Sequence, residues 1–277
     1  NYGWSFYGWS TSQTDLTKEY SEEESFTYTV VGDTKLYAIG KRNMHFNGGI
    51  APTSSYAEPV QYWNPYGITD TYLTEVDVPA SKAISGWTFI GYKCGNSTAN
   101  SSVTLASNLA GTKYKIPYNT YPYTRSAYQR TLTVAYNSNG GTGTTSGQTN
   151  QQYYNSGYGK DGSNSGSNSD TASFILRNNE FTKAGYSFKN WAEDSASGNE
   201  HSVGQTYSYG PAVNVTSTTK TFYAKWGTEE YTITYALNGG TNPVGVRMKY
   251  TVESETFELE DPTRTGYTFK GWYKESS

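Results

Sequence analysis

Along much of the chain, large apolar residues alternate with small or polar ones. Leu132-Thr133-Val134-Ala135-Tyr136 and Tyr231-Thr232-Ile233-Thr234-Tyr235 show the alternation most clearly. A period of two sets one face of a strand on a core and the other in solvent. Each run leads into Asn139-Gly140-Gly141 or Asn238-Gly239-Gly240, where Asn and Gly accept positive φ and let the chain reverse. Met44-His45-Phe46-Asn47-Gly48-Gly49 is a reduced copy of the same phrase. Further strands are predicted at Lys35-Leu36-Tyr37-Ala38-Ile39, Glu75-Val76-Asp77-Val78, Phe174-Ile175-Leu176, Thr221-Phe222-Tyr223-Ala224-Lys225-Trp226 and Thr256-Phe257-Glu258-Leu259. Helical periodicity is missing, so the expected fold class is mainly β, or α+β at most, with any helix short.

A second phrase, Gly-aromatic-x-Phe-x-x-aromatic, occurs four times, beginning at Gly3, Gly86, Gly185 and Gly266. Recurrence every 80 to 100 residues or so marks tandem small domains in an elongated array rather than one large core. The order of the phrases sets the boundaries. Residues 1–42 read as the later part of a repeat, 43–130 as a divergent repeat and 131–228 as a repeat with an insertion at 141–170. Residues 229–277 read as the earlier part of another. Within each phrase the first aromatic and the Phe lie two residues apart, hence on one face of a strand. Phe188, Trp191, Phe269 and Trp272 are therefore expected to serve cores. The insertion is almost wholly Gly, Ser, Thr, Asn, Gln and Tyr, too poor in apolar surface to fold alone, and reads as a long exposed loop.

Composition narrows the function. With 21 Lys and Arg against 24 Asp and Glu, the net charge is −3 and the basic residues are scattered, so electrostatic capture of nucleic acid is not expected. The 28 Tyr, 7 Trp and 10 Phe supply large apolar bodies with polar tips, suited to thin cores between small sheets. Cys94 is the single cysteine, which excludes an intrachain disulfide or a cysteine zinc site. No apolar run reaches the roughly 18 residues of a membrane span. The chain opens on Asn1, so it reads as a mature or excised piece.

Together, Tyr231-Thr232-Ile233-Thr234-Tyr235, Asn238-Gly239-Gly240, the run from Asp261 to Tyr273 and Phe222-Tyr223-Ala224-Lys225-Trp226 resemble the Listeria–Bacteroides repeat, also called the internalin B-repeat family. The resemblance covers nearly all of residues 131–277 apart from the insertion. It weakens over 43–130, where Tyr92 replaces the second Trp. It implies compact β-grasp-like domains, a place on the bacterial cell surface or cell wall or outside the cell, and a role as adhesive stalk or filament-forming segment. The family offers no catalytic residues to carry over and implies no cofactor.

Candidate chemistry is sparse. His45 and His201 are the only histidines, and no local signature ties either to a nucleophile, so the chain is not expected to be an enzyme. The stretch Asp161 to Asp170 imitates a calcium loop in its alternating oxygen side chains. It lacks the terminal bidentate Glu, leaving Asp161 and Asp170 as metal candidates against a plain flexible loop. The sharper candidates are Tyr62, Trp63, Tyr66, Tyr121, Tyr123, Tyr153, Tyr154 and Tyr158, in segments that read as loops. Tyr-rich loops on a rigid scaffold make binding surfaces, here for a host or cell-wall glycan or a protein receptor. The competing reading folds them back as satellite cores between neighbouring repeats, or as surfaces for self-association.

Overall fold

The computed structural model of the chain describes residues 2–22, 32–47, 59–65, 70–80, 82–95, 103–155 and 168–274. Among these, the only helical elements are two three-residue 3-10 turns, Asp70–Tyr72 and Ser107–Leu109, and the remaining regular structure is strand. The protein is mainly β. It forms two compact units: Asn1–Leu132 with Thr149–Ser173 and Ser208–Thr218, and Thr133–Gln148 with Phe174–Tyr207 and Thr219–Ser277.

In the first unit, β1 (Ser5–Ser10) runs antiparallel to β2 (Tyr37–Asn43). Met44 separates β2 from β3 (His45–Asn47), and β4 (Val60–Trp63) pairs with the other edge of β2. Next come β5 (Val76–Asp77), β6 (Thr88–Gly95), β7 (Val103–Leu105), β8 (Lys113–Tyr114) and β9 (Tyr123–Asn137). The start of β9 pairs parallel with β3 and antiparallel with β6, and β6 pairs with β7. β5 and β8 form a separate ribbon. β10 (Gln148–Asn155) lies beside β9 and carries β11 (Asn168–Ser169) on its edge. The core gathers Met44, Val76, Val78, Tyr92, Cys94, Leu105 and Ile116, with Phe46 and Phe89 packed against it. Tyr92, in the place of the second Trp, is fully buried, and its hydroxyl donates to the carbonyls of Pro79 and Ala80 at 3.0 and 3.2 Å.

The second unit repeats the plan. After β12 (Ala172–Ile175), β13 (Tyr186–Glu193) pairs antiparallel with β14 (Glu200–His201) and with β16 (Thr219–Thr228), while β15 (Thr206–Tyr209) pairs with β12. β16 runs parallel to Thr133–Asn137 of β9. In both units, then, a central parallel pair joins the first and last strands of a repeat, and the Gly-aromatic strand flanks the last. That is a mixed sheet. Leu132 and Val134 are fully buried, as their alternation predicts. β17 (Tyr231–Thr232) and β18 (Lys249–Tyr250) form a ribbon shorter than the run Tyr231 to Tyr235 suggests. The insertion departs from expectation too: residues 148–155 are β10, a sheet strand and not a loop. Its buried positions include the polar Gln152 and Asn155, so hydrophobic periodicity could not show it.

One local device recurs in the Gly-aromatic strands. The ladder slips between Phe6 and Gly8, between Phe89 and Gly91, and between Phe188 and Asn190. In a regular strand, residues three apart face opposite sides. The extra residue of a bulge brings them to the same side. Phe188 and Trp191 consequently meet edge to face at 4.9 Å, Phe89 and Tyr92 at 5.2 Å. Gly91 sits at φ +130°, and a Cβ there would lie 1.8 Å from the Leu105 carbonyl oxygen. Gly91→Ala is therefore expected to cost about 3 kcal/mol, while Asn190→Ala at the matching bulge costs about 1 kcal/mol or less. Denaturant unfolding of the two variants checks this, and equal losses would count against the bulge geometry.

Candidate functional site at the repeat junctions

The predicted aromatic residues are mostly strand residues. Tyr62 and Trp63 lie on β4, Tyr123 on β9, and Tyr153 and Tyr154 on β10, which corrects the loop assignment. Tyr62 packs on Tyr7 at 4.7 Å, Tyr123 stacks on His45 at 4.4 Å, and Tyr154 contacts Trp87 and Tyr128. Trp63 stacks on Tyr118 at 4.8 Å and leans on Trp4 at 5.2 Å. Tyr121, paired with Tyr2, and Tyr153 are exposed. Tyr66, Tyr158 and Asp161 lie outside the described residues. The backbone of Asp170 is tied to Tyr153 and Gln152. No group of three or more His, Cys, Asp or Glu among the described residues could hold a metal ion.

Two of these aromatics border a feature that sequence reading missed. Arg42 on β2 is 2 % exposed, and its guanidinium lies 4.3 Å from the Trp4 ring. Nε and Nη2 donate to Gln61 Oε1 at 3.0 and 2.7 Å. Nη2 also reaches the carbonyls of Ile116 and Pro117, and Nη1 those of Tyr2, Tyr118 and Thr120. Trp4 Nε1 donates to the Tyr118 carbonyl at 2.8 Å, and Gln61 Nε2 to the carbonyls of Thr74 and Ile116.

The same arrangement recurs one repeat later. Arg130 on β9 is 4 % exposed and lies 4.2 Å from the Trp87 ring. Its Nε donates to Gln152 Oε1 at 2.7 Å, Nη1 to the Val215 carbonyl at 2.6 Å, and Nη2 to the carbonyls of Pro211 and Ala212 at 2.6 and 3.2 Å. Trp87 Nε1 donates to the Val213 carbonyl at 3.0 Å, and Gln152 Nε2 to the carbonyls of Asp170 and Pro211. In each case Trp and Arg precede Gln and most of the carbonyls along the chain, and all of them lie in the first unit.

A planar guanidinium with five donors suits such a ring of carbonyls; an ammonium, with three, does not. Neither Arg has a carboxylate at ion-pair distance among the described residues, so carbonyl dipoles and the Trp face offset the cost of burying the charge. Burial pushes the Arg42 guanidinium down to about 10. Asp70 helps at one remove: its carboxylate accepts from the Tyr118 amide at 2.7 Å and adds a favourable charge. The available sequence signal was an Arg at the same place in two copies, Arg42-Asn43-Met44 and Arg130-Thr131-Leu132, two residues before the phrase that opens at Met44 or Leu132 and lacking an acidic neighbour.

The remaining chemistry is structural in kind. Burial pushes the Cys94 thiol up to about 12, so little thiolate forms near neutrality. In the second unit Glu193 accepts from the Tyr207 hydroxyl at 2.7 Å and contacts Lys220 at 3.0 Å and His201 at 3.1 Å. Lys220 also pairs with Asp194 at 2.6 Å. Burial opposes ionisation of Glu193, but the hydrogen bonds from Tyr207, Lys220 and His201 outweigh it and lower its pKa.

These features define a mainly β protein in which one strand plan recurs. The family model of the Listeria-Bacteroides repeat domain matches residues 231–277. Over 283 residues the chain is 26% identical to a protein of Evansella cellulosilytica that bears the name Gly-rich membrane protein, covering 99% of this chain and 28% of the relative. A second protein of that organism, named a membrane protein, is 31% identical over 93 residues, 34% of this chain and 12% of its own length. No solved structure matches the chain.

Glu193 ionises more readily folded than unfolded, so its contribution is present above the ordinary Glu value of about 4.3 and is lost as pH falls through the lower folded value. Glu193→Gln is expected to flatten that acid loss in the second unit. Thermal unfolding as a function of pH checks it, and an acid limb identical to the parent would contradict the assignment.

Proposed function

We propose that the chain is a non-catalytic extracellular segment of a bacterial surface protein, working as an adhesive stalk that spaces its neighbours from the cell. The observation that carries this reading is the repeated junction of Trp4, Arg42 and Gln61 and of Trp87, Arg130 and Gln152. Two successive repeats each spend a buried charge on holding the next, which is what a spacer needs and a lone binding domain does not. The names of the two relatives support a place at the membrane or cell surface. No helix among the described residues is long and apolar enough to cross a membrane.

A carbohydrate- or protein-binding role is the alternative, and the exposed Tyr2–Tyr121 pair and Tyr153 favour it. Small-angle scattering separates the two when combined with a glycan array. A stalk gives a rod that lengthens by about 30–40 Å per repeat, given the usual compactness of domains this size, and no saturable glycan. A single globular particle that binds a glycan through Tyr121 would support the alternative and overturn the stalk.

A further inference from the structure

The third copy of the junction changes its Trp and its Arg. Ser5 faces Lys41 and Thr88 faces Gln129, which sets Trp4 opposite Arg42 and Trp87 opposite Arg130. In the third copy the same step pairs Tyr186 with Thr228. Gln61 stands opposite Arg42 on the following strand. From the segment that follows, Glu253 meets the Tyr186 side chain. Tyr and Thr thus occupy the places of Trp and Arg.

The contacts change in kind. The Tyr186 hydroxyl donates to Glu253 Oε1 at 2.8 Å, an exposed bond. The Glu229 amide donates to the Gly185 carbonyl at 2.9 Å, and Lys183 lies 4.3 Å from the Tyr186 ring. Thr228 offers no guanidinium to gather carbonyls, and Tyr250 and Val252 beside the joint are exposed. A surface hydrogen bond competes with water, whereas a buried charged network must stay fully paired. Regions of exposed backbone bonds and few buried contacts open first.

We infer that the chain contains two classes of junction: closed clasps at Arg42 and Arg130, and an open joint at Thr228–Tyr231, where the repeat that follows detaches before the clasps release. The inference stands apart from the stalk reading, since a binding protein could carry the same joint. Native-state hydrogen exchange of the full chain tests it residue by residue. The amides of Glu229 and Tyr231 are expected to exchange at least a hundredfold faster than those of Lys41–Asn43 and Gln129–Thr131. Tyr186→Phe should speed Glu229 several-fold and leave Gln129–Thr131 unchanged. Gln152→Ala, a milder lesion than removing Arg130, should speed Gln129–Thr131 at least tenfold and leave Glu229 unchanged. Uniform protection across the three junctions, or Glu229 as slow as Thr131, would overturn the inference.

Discussion

A guanidinium can sit in a protein interior without a carboxylate only if other oxygens take up its five donors. At Arg42 and Arg130 backbone carbonyls and a Gln side chain do so, and a Trp ring covers the flat face. Because most of the carbonyls belong to segments distant in sequence from each Arg, satisfying the charge and holding those segments in place are one event. Loss of the contact leaves both a buried charge and several buried acceptors unpaired, a penalty much larger than that of an ordinary hydrogen bond. The segments 116–120 and 211–215, irregular in backbone, owe their placement to these donors.

The aromatic phrase supplies the other constraint. A bulge after the Phe turns the following aromatic back to the core, so that one strand delivers two rings to one side. This explains the spacing of the phrase better than alternation does. The first aromatic of the phrase serves a different end: Trp4 and Trp87 give their ring faces to the junction Arg. β6 and the Trp87 just before it therefore supply both core rings and the Trp face of the junction.

Much of this was legible in the sequence, because periodicity and recurrence report on backbone and core. The strand at Leu132 to Tyr136, the repeated aromatic phrase and the resemblance of the C-terminal repeat all rest on such signals. The junction did not show, since Arg42, Gln61, Arg130 and Gln152 are polar residues that ordinarily mark a solvent face. Their burial depends on carbonyls distant in sequence, such as those of Pro211 and Val215 for Arg130. The aromatic residues of β4 and β10 were recognised as unusual but assigned to loops, because buried Gln61 and Gln152 interrupt the hydrophobic pattern of those strands.

The most direct test is the stability of the full chain in Arg130→Lys, which keeps the charge and removes the fork, against Arg177→Lys at an exposed site of the second unit as control. If carbonyl capture by the planar guanidinium holds the repeats, Arg130→Lys loses about 2–3 kcal/mol in chemical denaturation and the control stays within about 0.5 kcal/mol. Equal stability of the two variants would show that charge alone, or neither group, secures the junction.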